Sequence, residues 1–195
     1  MKKLSLLLCA AAFALAGCGG DDESSRATTE AEGTAATGSV PYDQAFIDAM
    51  VPHHLAAIEM AKAARDRGLT QPDLQRIARD IISSQQREID RMLAWREDWF
   101  GSRTLGPVLP DVLGVPEGEL GMEHGGADEI LGAVDVDATF ATMMLPHHEG
   151  AIAMAEVARE RADHDELKEL AAAIISAQES EISVLEKHAG SVHHG

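Results

Sequence analysis

The chain has 195 residues, with 33 Asp and Glu against 16 Lys and Arg, a formal charge of −17, and 4% aromatic side chains. Such acidity repels nucleic acid and anionic lipid headgroups and favours cations. The two cysteines, Cys9 and Cys18, both lie near the start, so the remainder has no thiol for a thiolate metal site or an internal disulfide.

Lys2 and Lys3 precede an apolar run, Leu4 to Leu15, that is too short to cross a bilayer as a stable helix. The run closes in Leu15-Ala16-Gly17-Cys18, the pattern of a bacterial lipoprotein signal. Residues 1–17 therefore read as a removed signal peptide and Cys18 as the lipid-bearing new N-terminus. The competing readings are an ordinary signal with a chance cysteine, or an uncleaved anchor. Loss of Lys2 and Lys3 takes the formal charge from −17 to −19. Residues 18–41, mostly Gly, Asp, Glu, Ser, Thr and Ala, cannot bury enough apolar surface to order themselves and read as a flexible tether. The expectation is an extracytoplasmic protein held by its lipid to a bacterial membrane, at the cell surface or in the periplasm.

Residues 42–190 form the expected folded domain. A first helix is predicted from Asp43, as N-cap, to Arg67, with Gly68 as its stop. Pro52 falls inside it and removes one backbone hydrogen bond, which predicts a kink. Pro72 and Asp73 open a second helix to about Trp99, with Leu74, Ile77, Ile81, Ile82, Ile89 and Met92 at helical spacing. A long, mostly irregular connection over 100–136 follows, with a short turn around Leu120 and Met122. A third helix is predicted from Asp137 to Arg161 and a fourth from Asp165 to His188.

The two halves repeat. At an offset of 94, Asp43, Phe46, Met50, Pro52, His53, His54, Ala57, Ile58, Met60 and Ala61 match Asp137, Phe140, Met144, Pro146, His147, His148, Ala151, Ile152, Met154 and Ala155. At an offset of 93, Gln85, Glu88 and Ile89 match Gln178, Glu181 and Ile182. The repeats span about 42–99 and 137–188. The fold class is all-α: a four-helix bundle built from two repeated helical hairpins.

At about 100° per residue, His54 falls in the middle of the apolar arc of the first helix, and His53 with Met60 on one edge. The third helix puts His148 in the middle and Met143, His147 and Met154 along the edge. Gln85, Glu88, Gln178 and Glu181 fall inside the apolar stripes of the second and fourth helices. A carboxylate there is costly without a partner.

Two explanations compete. In one, Glu and Gln satisfy the histidines and the network fixes helix register. In the other, His53, His54, His147 and His148 ligate a metal, with Gln85, Glu88, Gln178 and Glu181 orienting the rings. Met50, Met60, Met143, Met144 and Met154 would then add thioethers. A single methionine is more often core filler. Adjacent histidines flanked by methionines, twice over and without a thiol, make a ligand set suited to copper, above all Cu(I). Met122, His124, His188, His193 and His194 are weaker candidates for loose binding.

These motifs resemble the family called domain of unknown function 305, grouped with the ferritin-like helical bundles. The pattern F-x3-M-x-P-H-H-x2-A-I-x-M-A runs from Phe46 to Ala61 and again from Phe140 to Ala155. Each copy is followed by I-x3-Q-x2-E-I, from Ile81 to Ile89 and from Ile174 to Ile182. The resemblance implies an exported, ferritin-like four-helix bundle often associated with copper handling, with these histidines and methionines as candidate ligands. This chain departs in having Leu185 where the first copy has Met92, and His188 where it has Trp95.

The first functional reading is a lipid-anchored copper-binding protein that buffers or sequesters the ion, with no catalytic step. The alternative is a metal-free structural or interaction module built on a His–Glu/Gln network. A ferritin-like di-metal oxidase is less well supported, because its Glu-x-x-His pairs are missing from the four helices and Glu59 and Glu149 fall on outward faces.

Overall fold

The structure, a computed structural model, describes residues 39–122 and 125–190. The signal peptide, Cys18, most of the tether, His124, His193 and His194 lie outside those residues. Four long helices carry the domain: α1 (Tyr42–Arg67), α2 (Pro72–Phe100), and, beyond the connection, α5 (Val136–Arg161) and α6 (Asp165–Leu185). Three shorter elements lie between the halves: α3 (Pro110–Leu113), a 3-10 turn (Glu117–Glu119) and α4 (Ala127–Gly132). Among the described residues, no helix is long and apolar enough to cross a membrane.

Each half is a hairpin. α1 packs along α2, α5 packs along α6, and α1 meets α5 at the centre. Of the periodic apolar positions of α2, Leu74, Ile77, Ile81, Ile89 and Met92 are buried and Ile82 is partly buried. Phe46 and its repeat partner Phe140 are completely enclosed. Burying a side chain of that size contributes about 1.5–3 kcal/mol. Pro72 starts α2 at a position where its missing N–H costs nothing.

The expected N-cap role of Asp43 is not what the structure shows. α1 begins at Tyr42 after Pro41, without a side-chain cap. Asp43 instead accepts the backbone N–H groups of Asp163 and His164, at 2.9 and 3.0 Å, in the turn between α5 and α6. Its counterpart Asp137 accepts from the backbone of Thr70 and Gln71, at 3.0 and 3.4 Å, and from the Thr70 hydroxyl, in the turn between α1 and α2. Asp135 caps α5, accepting from the Ala138 N–H at 3.0 Å. An aspartate at a helix start has the composition of a cap whether it serves its own helix or a neighbouring turn.

The connection is more ordered than its Gly and Pro content predicts. Leu113, Val115, Leu120 and Ile130 insert from it into the core. Pro110 opens α3, and Pro116 precedes the 3-10 turn. These pieces are too short for periodicity to reveal them. The start of the connection is pinned by a buried ion pair: Arg96 Nε donates to Asp48 Oδ1 at 2.8 Å, and its Nη1 donates to the Ser102 carbonyl at 3.0 Å.

Candidate metal centre

α1 and α5 run without interruption through Pro52 and Pro146, one residue before each His pair. Neither proline has an N–H to offer the carbonyl four residues earlier, so the turn entering each pair lacks one backbone bond. The two helices cross where the pairs meet. The rings of His53 and His147 lie 3.8 Å apart, centroid to centroid, at 41°. His54 and His148 stand behind them, each 6.4 Å from its neighbour in sequence.

All four rings are buried. The arc positions of His54 and His148 agree with the helical wheels. His53 and His147, expected at an edge, are equally enclosed, because the edge of each helix faces the other and the connection covers what remains. Met60, Met143 and Met154 are enclosed for the same reason. Met50 and Met154 belong to one core cluster, and Met60, Met143 and Met144 to the other. Each cluster thus mixes methionines from both repeats, as expected where two equivalent helices cross head to tail.

Glu88 and Glu181 differ from their predicted place inside the stripes. They sit at the margin, with side chains 19% and 16% exposed, and reach inward. The Glu88 carboxylate lies 2.7 Å from His54 Nε2, and that of Glu181 2.6 Å from His148 Nε2. Gln85 and Gln178 are the fully buried members, and their carbonyl oxygens find no partner.

These contacts fix the proton on three rings. Glu88 and Glu181 accept from Nε2–H, which leaves Nδ1 as the ring nitrogen of His54 and His148 open to a metal. The Leu120 carbonyl lies 3.0 Å from His53 Nε2 and can only accept, which leaves the lone pair of His53 on Nδ1 as well. Each of these Nδ1 atoms is buried and unpartnered, and so are both ring nitrogens of His147. Burial pushes His53 well below the usual imidazole value, with His147, His54 and His148 adding to the shift. Burial, with His148 and His54, also brings His147 down to about 3. Neutral imidazole is the form that ligates metal ions.

A buried polar atom without a partner costs about 1–3 kcal/mol. Five such ring nitrogens lie on adjacent residues, and because neutral His147 keeps a hydrogen on one of its two, they offer at most four lone pairs to a metal ion. Among the described residues no three His, Cys, Asp or Glu side chains converge as a ready-made site. A soft cation here would draw on imidazole and thioether together, a combination that fits copper.

Of the remaining candidates, Met122 and His188 are among the described residues. Met122 is exposed. His188, expected within the fourth helix, lies in the turn after α6, with Nε2 2.9 Å from Asp73 Oδ2. Several features of the fold around the centre carry no signature in residue type. The Leu120 carbonyl is a backbone atom, and the close approach of Gly150 to Leu120 becomes visible only after folding. Asp48 with Arg96, and His164 stacked on Trp99 at 3.6 Å, join residues far apart in the chain.

The family profile described as Domain of unknown function (DUF305) matches residues 43–189. Among solved structures, CopM in its Cu(I)-bound form is 32% identical with a TM-score of 0.62, covering 76% of this chain and 95% of that one. CopM is also known in Cu(II)-bound, silver-bound and apo forms. A DUF305 protein from Streptomyces coelicolor, assigned as secreted, gives a TM-score of 0.69 at 26% identity, over 79% of this chain and 98% of that one. A DUF305 fragment from Deinococcus radiodurans gives 0.62 at 25%, over 76% and 95%. No curated protein matches the chain.

Proposed function

This chain belongs to the DUF305 family, and from that premise we propose that it binds and sequesters copper outside the cytoplasm, without a catalytic step. The observation that carries this reading is the buried meeting of His53 and His147, whose rings present nitrogens with no protein partner. His54 and His148 add two more Nδ1 lone pairs, held in place by Glu88 and Glu181. Met50, Met60, Met143, Met144 and Met154, buried on the same two helices, are the candidate thioethers. Neutral imidazole with thioether favours Cu(I), and the histidines alone would serve Cu(II). The likeness to CopM, which is known with Cu(I), Cu(II) and silver bound, supports the same cargo.

The secreted relative and the lipoprotein-like start support an extracytoplasmic position, with lipid on Cys18 as the tie to the membrane. The metal-free alternative accounts for the two His–Glu pairs. It leaves the nitrogens of His53 and His147 unexplained.

The test is a Cu(I) competition titration against a chromophoric chelator, with untagged protein beside a His53→Ala, His147→Ala double variant. Tight binding lost in the variant is the expected result. Equal, weak binding by both proteins would remove copper from the core and leave the network structural.

A further inference from the structure

The segment Val115–Gly121 lies across α5 as a strap, and its contact with the helix is backbone against backbone. A Cβ on Gly150 would fall inside the van der Waals envelope of the Leu120 carbonyl and of the Gly121 nitrogen, 2.6 Å away in the latter case. From the other side, a Cβ on Gly121 would press on the Pro146 carbonyl and stand 3.0 Å from His147 Cα. Gly121 also has φ +71, a region that side chains disfavour. Neither neighbour is a flexible side chain that could swing aside.

We propose that Gly150 and Gly121 are positioning residues of the histidine centre. They form the notch that lets the Leu120 carbonyl come down onto His53 and hold that ring in a single tautomer. The consequence for copper rests on the function proposed above; the tautomer does not.

The two repeats differ at this point, which separates the idea from general close packing. The residue equivalent to Gly150 in the first repeat is Ala56, half-buried and with its methyl in place. The ring equivalent to His53 is His147, and both of its nitrogens lack a partner. One strap serves one ring. His53 is locked with Nδ1 as its donor atom, while the strap places no carbonyl on either nitrogen of His147. A pair of otherwise equivalent imidazoles becomes one ring held by the strap facing one the strap does not hold. For a cation that changes ligand geometry with oxidation state, such a pair offers one ligand whose donor atom the strap fixes.

The strap is placed by contacts distant from the rings. Leu113, Val115 and Leu120 are buried in the same core cluster as Met50 and Met154. At its far end the connection passes Asp48, where a Cβ on Gly106 would stand 2.8 Å from the carboxylate. The carbonyl is thus delivered by the fold of the connection, and the glycines set how near it comes.

The experiment uses the full chain, labelled with 15N at histidine and free of metal, read by long-range proton–nitrogen correlation of the rings. The expected wild-type pattern is Nε2–H at His53. Gly150→Ala should abolish the single-tautomer pattern at His53 and leave the Nε2–H patterns of His54 and His148 in place. It should also weaken Cu(I) binding about tenfold or more, the range typical of lost ligand orientation. Leu120→Ala keeps the carbonyl and should retain the His53 pattern. An Nδ1–H pattern at His53 in the wild type would overturn the proposal without recourse to any variant. So would a Gly150→Ala protein with unchanged rings and unchanged affinity. If the ring pattern shifts in a protein whose wild type takes no copper, the positioning stands and the copper reading fails.

Discussion

Asp43 and His164 are joined across 121 positions of the chain: the Asp43 carboxylate accepts the backbone N–H of His164 at 3.0 Å and sits 2.6 Å from its Nδ1. The carboxylate is buried, and the imidazole lies flat on Trp99 at 5°. Asp137 makes the corresponding link to Thr70 and Gln71. Each hairpin is therefore closed by an aspartate from the other.

Asp43→Ala leaves two backbone donors and one ring nitrogen without their acceptor. A loss of about 1–3 kcal/mol in urea unfolding is expected. Asp137→Ala, at a more exposed turn, should lose less. A variant at position 43 as stable as the parent would show that the cross-link holds nothing.

Stability should fall with acid before any carboxylate titrates. Unfolded His147 takes its proton near 6.5, and in the fold near 3. Between these values the unfolded chain holds the extra proton, so stability is complete above 6.5 and declines as pH drops. The slope is about 1.4 kcal/mol per pH unit for each ring so affected, and His53 moves in the same direction. Asp73, lowered from 3.8 chiefly by its bond to His188, also loses stabilisation as pH falls, but only in the acid range of carboxylates. Urea midpoints at about pH 7.5 and about pH 5 should differ in the parent and converge in a His53→Gln, His147→Gln variant. Parallel curves would contradict the neutral core rings.

Asp48 and Arg96 form a buried pair, and removing one charge strands the other. Arg96→Ala should cost about 3–5 kcal/mol. Replacing both partners with apolar residues should cost much less. Equal costs for the single and double variants in thermal unfolding would place the value of the contact in packing alone.

Glu88→Ala and Glu181→Ala remove the acceptors that orient His54 and His148. Cu(I) affinity should drop about 10–100-fold for each, without loss of helix content. Binding at parental strength in both variants would exclude the rear histidines from the site.

The long helices were legible because their signals are local. Pro72 and the 3–4 spacing from Leu74 to Met92 define α2, and Gly68 ends α1. The repeat placed His53 opposite His147 in role, though not in distance. The wheels located His54 and His148 correctly and set His53 too far out, since one helix cannot show what packs on its flank. Glu88 and Glu181 belong to the margin because a long side chain can start there and still reach an inner ring. The Leu120 contact was illegible, as any residue would supply that carbonyl.

The contact between His53 and His147 places equivalent residues face to face, so an approximate twofold axis passes between them. The reciprocal aspartates obey the same axis. A chain carrying a single hairpin would expose an unclosed turn, an unsatisfied Asp and half of a histidine pair. Two such chains satisfy each other by the same operation, an isologous dimer with its ligands on the symmetry axis. The covalent connection therefore does more than join the halves. It breaks a symmetry that a dimer would have to keep, by laying one strap on one side. Sedimentation of the isolated 136–190 hairpin should show the dimer; a folded monomer would deny it.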